Sequence, residues 1–240
     1  YKRQHQQYAL VLSDLERHCV LAILPNRKKK TLLQWLTALP DDDRRAIQTV
    51  STDLWEPYRQ AVHEALPQAR QVADRFHVMK QLNDRLTQAR RALQKHADDP
   101  TRQVLKGSRW VLVKARHTLT PEEELKLQAV LAASPQLRTM YLLKEEFRTI
   151  CDKVRDRDQA ARFLRAWICK VEYTGDQRLL KFVNTLRNWW DEFLNYFINR
   201  VTQAFVEGIN NAIRTLIRRA YGFRNFEIFR LHVLAQHGGP

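Results

Sequence analysis

The pattern of apolar and polar positions changes character about a third of the way along the chain. Residues 8–13 (Tyr-Ala-Leu-Val-Leu-Ser) and 18–24 (His-Cys-Val-Leu-Ala-Ile-Leu) are short runs rich in strand formers. The intervening Asp14-Leu15-Glu16-Arg17 makes the pair read as a β-hairpin. Helical spacing follows over Thr31 to Leu39, and the acidic turn Asp41-Asp42-Asp43 leads through a short helix into Ala46-Ile47-Gln48-Thr49-Val50-Ser51, which reads as a buried strand. Asp53 stands at its end. Pro57 suits the first turn of a helix running to about Leu66, which Pro67 closes. Gln71-Val72-Ala73, before Asp74, reads as one more short strand. The order strand, strand, helix, strand, helix, strand predicts the mixed α/β class, with an antiparallel hairpin and parallel crossovers.

From about Phe76 the period becomes 3.6 residues and stays so almost to the C-terminus, with breaks at Asp98-Asp99-Pro100, Gly107, Thr120-Pro121, Ser134-Pro135 and Tyr173-Thr174-Gly175. Thr120-Pro121-Glu122-Glu123 has the form of a capping box with proline in the first helical position. No internal repeat interrupts this helical block. After it, Val206, Ile209, Ile213, Leu216 and Ile217 make an apolar stripe on one predicted helix, which Gly222 would stop. Glu207, Asn211, Arg214 and Arg218 then share the opposite face.

Charge sharpens this picture. The 240 residues carry 41 Lys plus Arg against 26 Asp plus Glu, a net charge of +15, which is an electrostatic footprint of nucleic-acid binding. No apolar run approaches the roughly 20 residues of a membrane span, and no secretory leader is evident, so the expectation is a soluble cytoplasmic protein, associated with the nucleoid and with no membrane partner. Cys19, Cys151 and Cys169 form no CxxC pair and read as reduced, half-buried thiols.

Among candidate chemical groups, Asp53 lies where mixed α/β sheets hold ligands, just past the end of a strand. Nucleic-acid phosphoryl transfer commonly uses two magnesium ions roughly 4 Å apart, held by carboxylates converging from different elements. Asp53 and Glu207 are suitable in type and predicted placement, although an Asp in the position of Asp53 is more often a cap of the helix opening at Leu54 or Trp55. Asp74 is a further carboxylate or a helix cap, and His77 an acid, base or orienting donor or a structural hydrogen-bonder. Asp14 reads as a turn former. The aromatic residues of the helical block, including Trp110, Trp167, Trp189, Trp190, Phe147, Phe163, Phe182 and Phe193, read as core rather than as base-stacking groups. Arg27, Lys28 and Lys29, with Asn211, Arg214, Arg218, Arg219 and Arg224, are the candidates for DNA contact, since arginine matches phosphate bidentately.

Five blocks together resemble bacterial insertion-sequence transposases of the ISL-three family. They are Ser51-Thr52-Asp53-Leu54-Trp55-Glu56-Pro57-Tyr58, Leu66-Pro67-Gln68-Ala69, Val72-Ala73-Asp74-Arg75-Phe76-His77-Val78, Leu105-Lys106-Gly107-Ser108-Arg109-Trp110, and Val206-Glu207-Gly208-Ile209-Asn210-Asn211 with Arg218-Arg219-Ala220-Tyr221-Gly222-Phe223-Arg224-Asn225-Phe226. The resemblance implies a ribonuclease-H-like mixed sheet interrupted by a large all-helical insertion, with residues 1–76 the first part of the catalytic domain, 77–200 the insertion and 201–240 its C-terminal helices. It implies an Asp-Asp-Glu triad in which Asp53 is the second aspartate and Glu207 the glutamate, both metal-binding, with two Mg2+ or Mn2+ ions. The family's first aspartate would precede the segment beginning at Lys2, so the sheet is expected to be incomplete at its N-terminal strand and the chain weak or inactive alone. DNA, both element ends and target, is the implied partner, engaged by a homodimer or higher oligomer. A non-catalytic DNA-binding or competitor fragment, and a helical architectural protein, are the alternatives.

Overall fold

The computed structural model describes residues 8–198, 200 and 204–239. Contacts divide the chain into two units, one built from residues 1–71 and 200–240, the other from 72–199.

The first unit opens with the antiparallel hairpin of β1 (Leu10–Asp14) and β2 (Cys19–Leu24). Asp14 closes the turn as expected, accepting the Glu16 and Arg17 N–H groups through one oxygen at 2.9 Å. The register pairs Leu12 with Ala22 but Ser13 with Val20, leaving Leu21 unpaired as a bulge. A bulge resets the alternation of side chains. Ala22 and Leu24 accordingly face one apolar cluster, and Val20 and Ile23 another. Both faces of the hairpin are covered, which is why its second run reads as continuously apolar.

Helix α1 (Lys29–Thr37) and helix α3 (Glu56–Ala65) cover the first face, contributing Leu32, Leu36, Tyr58, Ala61 and Val62. Between them lie the short helix α2 (Asp41–Ala46) and strand β3 (Thr49–Thr52), which joins β4 (Arg70–Ala73) in a second two-stranded sheet. All the strands expected from the sequence are present. They are not joined in one mixed sheet: the described strands make two separate pairs, and beyond β1 the described partner of β2 is a parallel bridge from Val20 to Gly238.

Helix α12 (Ala204–Arg219) and helix α13 (Phe226–His237) cover the other face through Ile209, Ile213, Phe229 and Val233. Each such side chain contributes roughly 1.5–3 kcal/mol when taken from water. Ile217 departs from the expected stripe and is 39% exposed, because the hairpin meets α12 through its first turns while Leu216 packs only partly. Past the last turn the Gly222 N–H returns to the Ile217 carbonyl at 2.9 Å, and its φ of 93° is one that favours glycine. Gly238 has no room for a side chain, since a Cβ there would sit 2.5 Å from the Leu234 carbonyl oxygen.

The second unit is helical. Helices α4 (Arg75–His96), α5 (Asp99–Leu105), α6 (Arg109–Val113), α7 (Pro121–Ala133), α8 (Pro135–Lys153), α9 (Arg157–Thr174), α10 (Gln177–Asn188) and α11 (Trp190–Asn195) follow in order. The capping box at α7 is formed in both directions, with Thr120 Oγ1 accepting from the Glu123 N–H at 3.2 Å and Glu123 accepting from the Thr120 N–H at 3.1 Å. Phe147 centres the aromatic core, with Trp167, Phe182 and Phe193 at ring distances of 5.0, 5.4 and 5.6 Å. Trp110 and Phe163 were expected in this core and are instead 62% and 47% exposed. Cys19 and Cys151 are buried, whereas Cys169 is exposed. Among the described residues no helix is long and apolar enough to cross a membrane.

Lys144 is fully buried in this unit, where its ammonium donates to the Leu112 and Lys114 carbonyls at 2.7 and 3.1 Å and pairs with Glu145 at 2.6 Å. It thus satisfies carbonyls that α6 leaves open at its C-terminal end. Burial pushes its pKa down from 10.5 to about 8, against the opposing pull of Glu145. The unfolded chain therefore holds more protons than the folded one above that value, so this residue makes stability rise with pH, by about 1 kcal/mol from pH 8 to 9. Burial pushes the Cys151 thiol up to about 12 and raises the Tyr141 phenol as well, and these oppose the rise only as pH approaches and passes their ordinary values of 9.0 and 10.0. Urea midpoints measured between pH 8 and 9 should increase for the native chain and lose that increase in Lys144→Met.

Candidate functional site

Asp53 follows β3, where its carbonyl accepts the Trp55 N–H at 2.7 Å and so folds the chain tightly into α3. Its side chain caps nothing: the N-cap position of α3 is Trp55, without a side-chain hydrogen bond. Instead one carboxylate oxygen, Oδ2, receives Arg27 Nη2 at 3.0 Å. The other, Oδ1, is buried and has no hydrogen-bond partner among the described residues. A desolvated carboxylate oxygen left in this state is costly unless something positive or protic reaches it.

Arg27 is held from several sides. Its Nε donates to the Tyr58 hydroxyl at 3.0 Å, and its guanidinium lies 5.8, 5.6 and 5.6 Å from the ring centres of Tyr8, Trp55 and Tyr58. Burial alone would lower its pKa, yet the Tyr58 hydrogen bond, the negative charge of Asp53 and the adjoining phenols raise it. Burial correspondingly raises the pKa of Tyr58, keeping the phenol neutral as acceptor from Arg27. The neighbouring Lys29 pairs with Glu64 at 2.9 Å, while Lys28 is exposed.

Glu207 sits in the first turn of α12, exposed and without an ion pair or hydrogen bond among the described residues. Asn211, Arg214 and Arg218 continue its face as exposed residues, with Arg214 donating to Asn211 Oδ1 at 2.7 Å. From Glu207 to Arg218 this face is about 16 Å long at the helical rise. The acid stands at the positive end of the helix dipole and the arginines at the negative end, so each is placed where the backbone stabilises it. Arg219 and Arg224 are exposed beyond.

Asp74 and His77 make a separate pair in the helical unit. Asp74, almost wholly buried, accepts the Phe76 N–H at 2.9 Å through Oδ1 and meets His77 Nδ1 at 2.5 Å through Oδ2. Both oxygens are thereby committed, one to capping α4 and one to orienting the imidazole.

The structure thus joins Arg27 to Asp53, Asn211 to Arg214, and Asp74 to His77. No hydrogen bond or ion pair links Asp53 to Glu207. Among the described residues no three His, Cys, Asp or Glu side chains come together as a metal-binding group. Residues 1–7, ahead of which the family's first aspartate was expected, lie outside the described residues. Sequence reasoning missed the partners of Arg27: Trp55 and Tyr58 stand three apart at the start of α3, a spacing that puts both on one side of that helix.

Residues 1–233 match the family described as Transposase, of the ISL3 type. The transposase for insertion sequence element IS1001 of Bordetella parapertussis is 31% identical over 237 residues, covering 97% of this chain and 58% of that protein. The transposase for insertion sequence element IS1557 of Mycobacterium tuberculosis (strain CDC 1551 / Oshkosh) is 28% identical over 249 residues, 94% of this chain and 55% of its own length. An ATP-dependent protease of Lactococcus lactis subsp. lactis shares 30% identity over 113 residues, 45% of this chain. No solved structure matches. The chain therefore spans somewhat more than half the length of the transposases it matches. With a family match running over nearly all its residues, this chain belongs to the ISL3 family of insertion-sequence transposases.

Proposed function

We propose that this chain is the catalytic portion of a DNA transposase, with a ribonuclease-H-like arrangement, which cleaves phosphodiesters at the ends of an insertion sequence and joins the freed 3'-hydroxyl to target DNA. The observation that carries the reading is the state of Asp53, whose Oδ1 is desolvated and unpartnered beside a strand end. A hard oxygen donor of that kind suits Mg2+ or Mn2+. Glu207, unpaired on a helix packed in the same unit, is the second oxygen donor. Two such ions, when bound, supply charge stabilisation at phosphoryl oxygens and a water nucleophile at neutral pH.

The chain's own contributions are binding and orientation. Arg214, Arg218, Arg219 and Arg224, with Lys28, offer cations to the DNA backbone, and Asn211 offers a neutral hydrogen-bonding group beside Glu207. Arg27 balances the charge of Asp53 through their ion pair. Both element ends and target DNA are the proposed partners, engaged by a homodimer or larger assembly. A second reading, DNA binding without cleavage, draws on the lack of a three-ligand metal cluster among the described residues.

Asp53→Asn and Glu207→Gln in the full-length transposase should each lower magnesium-dependent cleavage of DNA carrying the element ends by about a hundredfold or more, since bound ions contribute several kcal/mol. Affinity for the same DNA should hold. Undiminished cleavage would remove these residues from the metal site, and metal-independent binding with no cleavage by the native full-length transposase would select the second reading. Arg218→Ala and Arg219→Ala should each weaken duplex binding evenly across sequences and reduce the slope of log affinity against log salt by about 1. An unchanged slope in either variant takes that arginine off the DNA.

A further inference from the structure

Three aromatic rings converge on one guanidinium beside Asp53. Tyr58 forms the floor of this box and is 5% exposed, whereas Trp55 and Tyr8 form walls that are 47% and 58% exposed. Large exposed rings are more often solitary. Here two of them flank the same cation, and the Trp55 backbone is fixed by its N–H bond to the Asp53 carbonyl.

A π face next to an arginine, with solvent access and surplus positive charge, is the recognition chemistry of an unpaired nucleotide: the base stacks and the phosphate takes the guanidinium. A duplex cannot use the rings, because its bases are already stacked on one another. The surrounding charge fits the same partner, since Lys28 and Lys30 are exposed immediately after Arg27. Arg27 is also the group with most to exchange. Its Nη2 is spent on Asp53, so a phosphate drawing it away releases the second oxygen of that carboxylate as well.

We infer that Trp55 and Tyr8, with Arg27, form a stacking site for an unpaired nucleotide at the strand end beside Asp53. Only the strand's identity depends on the cleavage reading; the binding itself does not. Trp55 and Tyr8 hold the base, and Arg27 passes from the Asp53 carboxylate to the nucleotide's phosphate. The site therefore distinguishes a frayed or cleaved end from continuous duplex.

The test uses a fluorescein-labelled oligothymidylate and a labelled duplex of the same length, titrated without divalent metal. Trp55→Ala should weaken oligothymidylate binding at least about fivefold, the lower end of the loss of one stacked base, while leaving duplex binding unchanged. Tyr8→Ala should do the same more weakly, Trp55→Phe should restore binding, and Tyr173→Ala, which truncates a fully exposed ring in the helical unit, should have no effect. Unchanged oligothymidylate affinity in Trp55→Ala, or an equal loss on duplex, or an equal loss in Tyr173→Ala, overturns the site. Because no metal is present, success here with failed cleavage in the Asp53 experiment would leave the nucleotide site standing and discard only the cleavage chemistry.

Discussion

Burial of the β1–β2 hairpin on both faces is the constraint from which the first unit is assembled. A regular strand would send alternate side chains to opposite sides along its whole length. The bulge at Leu21 breaks that alternation, so Val20 joins Ile23 against α12 and α13 while Ala22 and Leu24 face α1 and α3. Two layers that are far apart in sequence are thereby attached to one ribbon of eleven strand residues. The element carrying Asp53 abuts one layer and the helix carrying Glu207 is the other.

These two carboxylates live in opposite electrostatic settings. Asp53 is partly desolvated and already neutralised by an arginine that aromatic rings hold in place. Glu207 stands in water, steadied chiefly by the backbone dipole of its own helix. A cation meeting the first at its unpartnered Oδ1 would share the carboxylate with a fixed counter-charge, whereas one meeting the second would displace only solvent. The pair is asymmetric in what it asks of an incoming ion, and Arg27 is the reason.

Much of this was legible beforehand where local rules act alone. The hairpin, the strands before Asp53 and Asp74, Pro57 in the first turn of α3 and the capping box at Thr120 all follow from short-range pattern, and each is present. The failures share a different cause. One mixed sheet was expected because strand order alone does not say which edges meet. Ile217 was assigned to the core by period, but the width of the hairpin decides how far along α12 burial extends. Lys144 went unnoticed although it stands three and four residues from Tyr141 and Met140 on the buried face of α8; its partners are carbonyls contributed by α6 and the turn after it, which no period reveals. The pairing of Arg27 with Asp53 was likewise invisible in a basic run, since it depends on chain folding across 26 residues.

The parallel bridge between Val20 and Gly238 and the cluster around Ile209 and Ile213 join the beginning of the chain to its end. A ribosome adding roughly 5–20 residues per second needs about 10 to 40 s to travel from β2 to α12. Throughout that interval Val20 and Ile23 lack the two helices that cover them in the folded unit, while the intervening helices, rich in contacts between neighbours in sequence, are free to fold. The nascent chain thus passes through a stage in which the helical unit can be complete while this ribbon face still lacks α12 and α13, and crowding of several nascent copies on a single message would favour misassembly there.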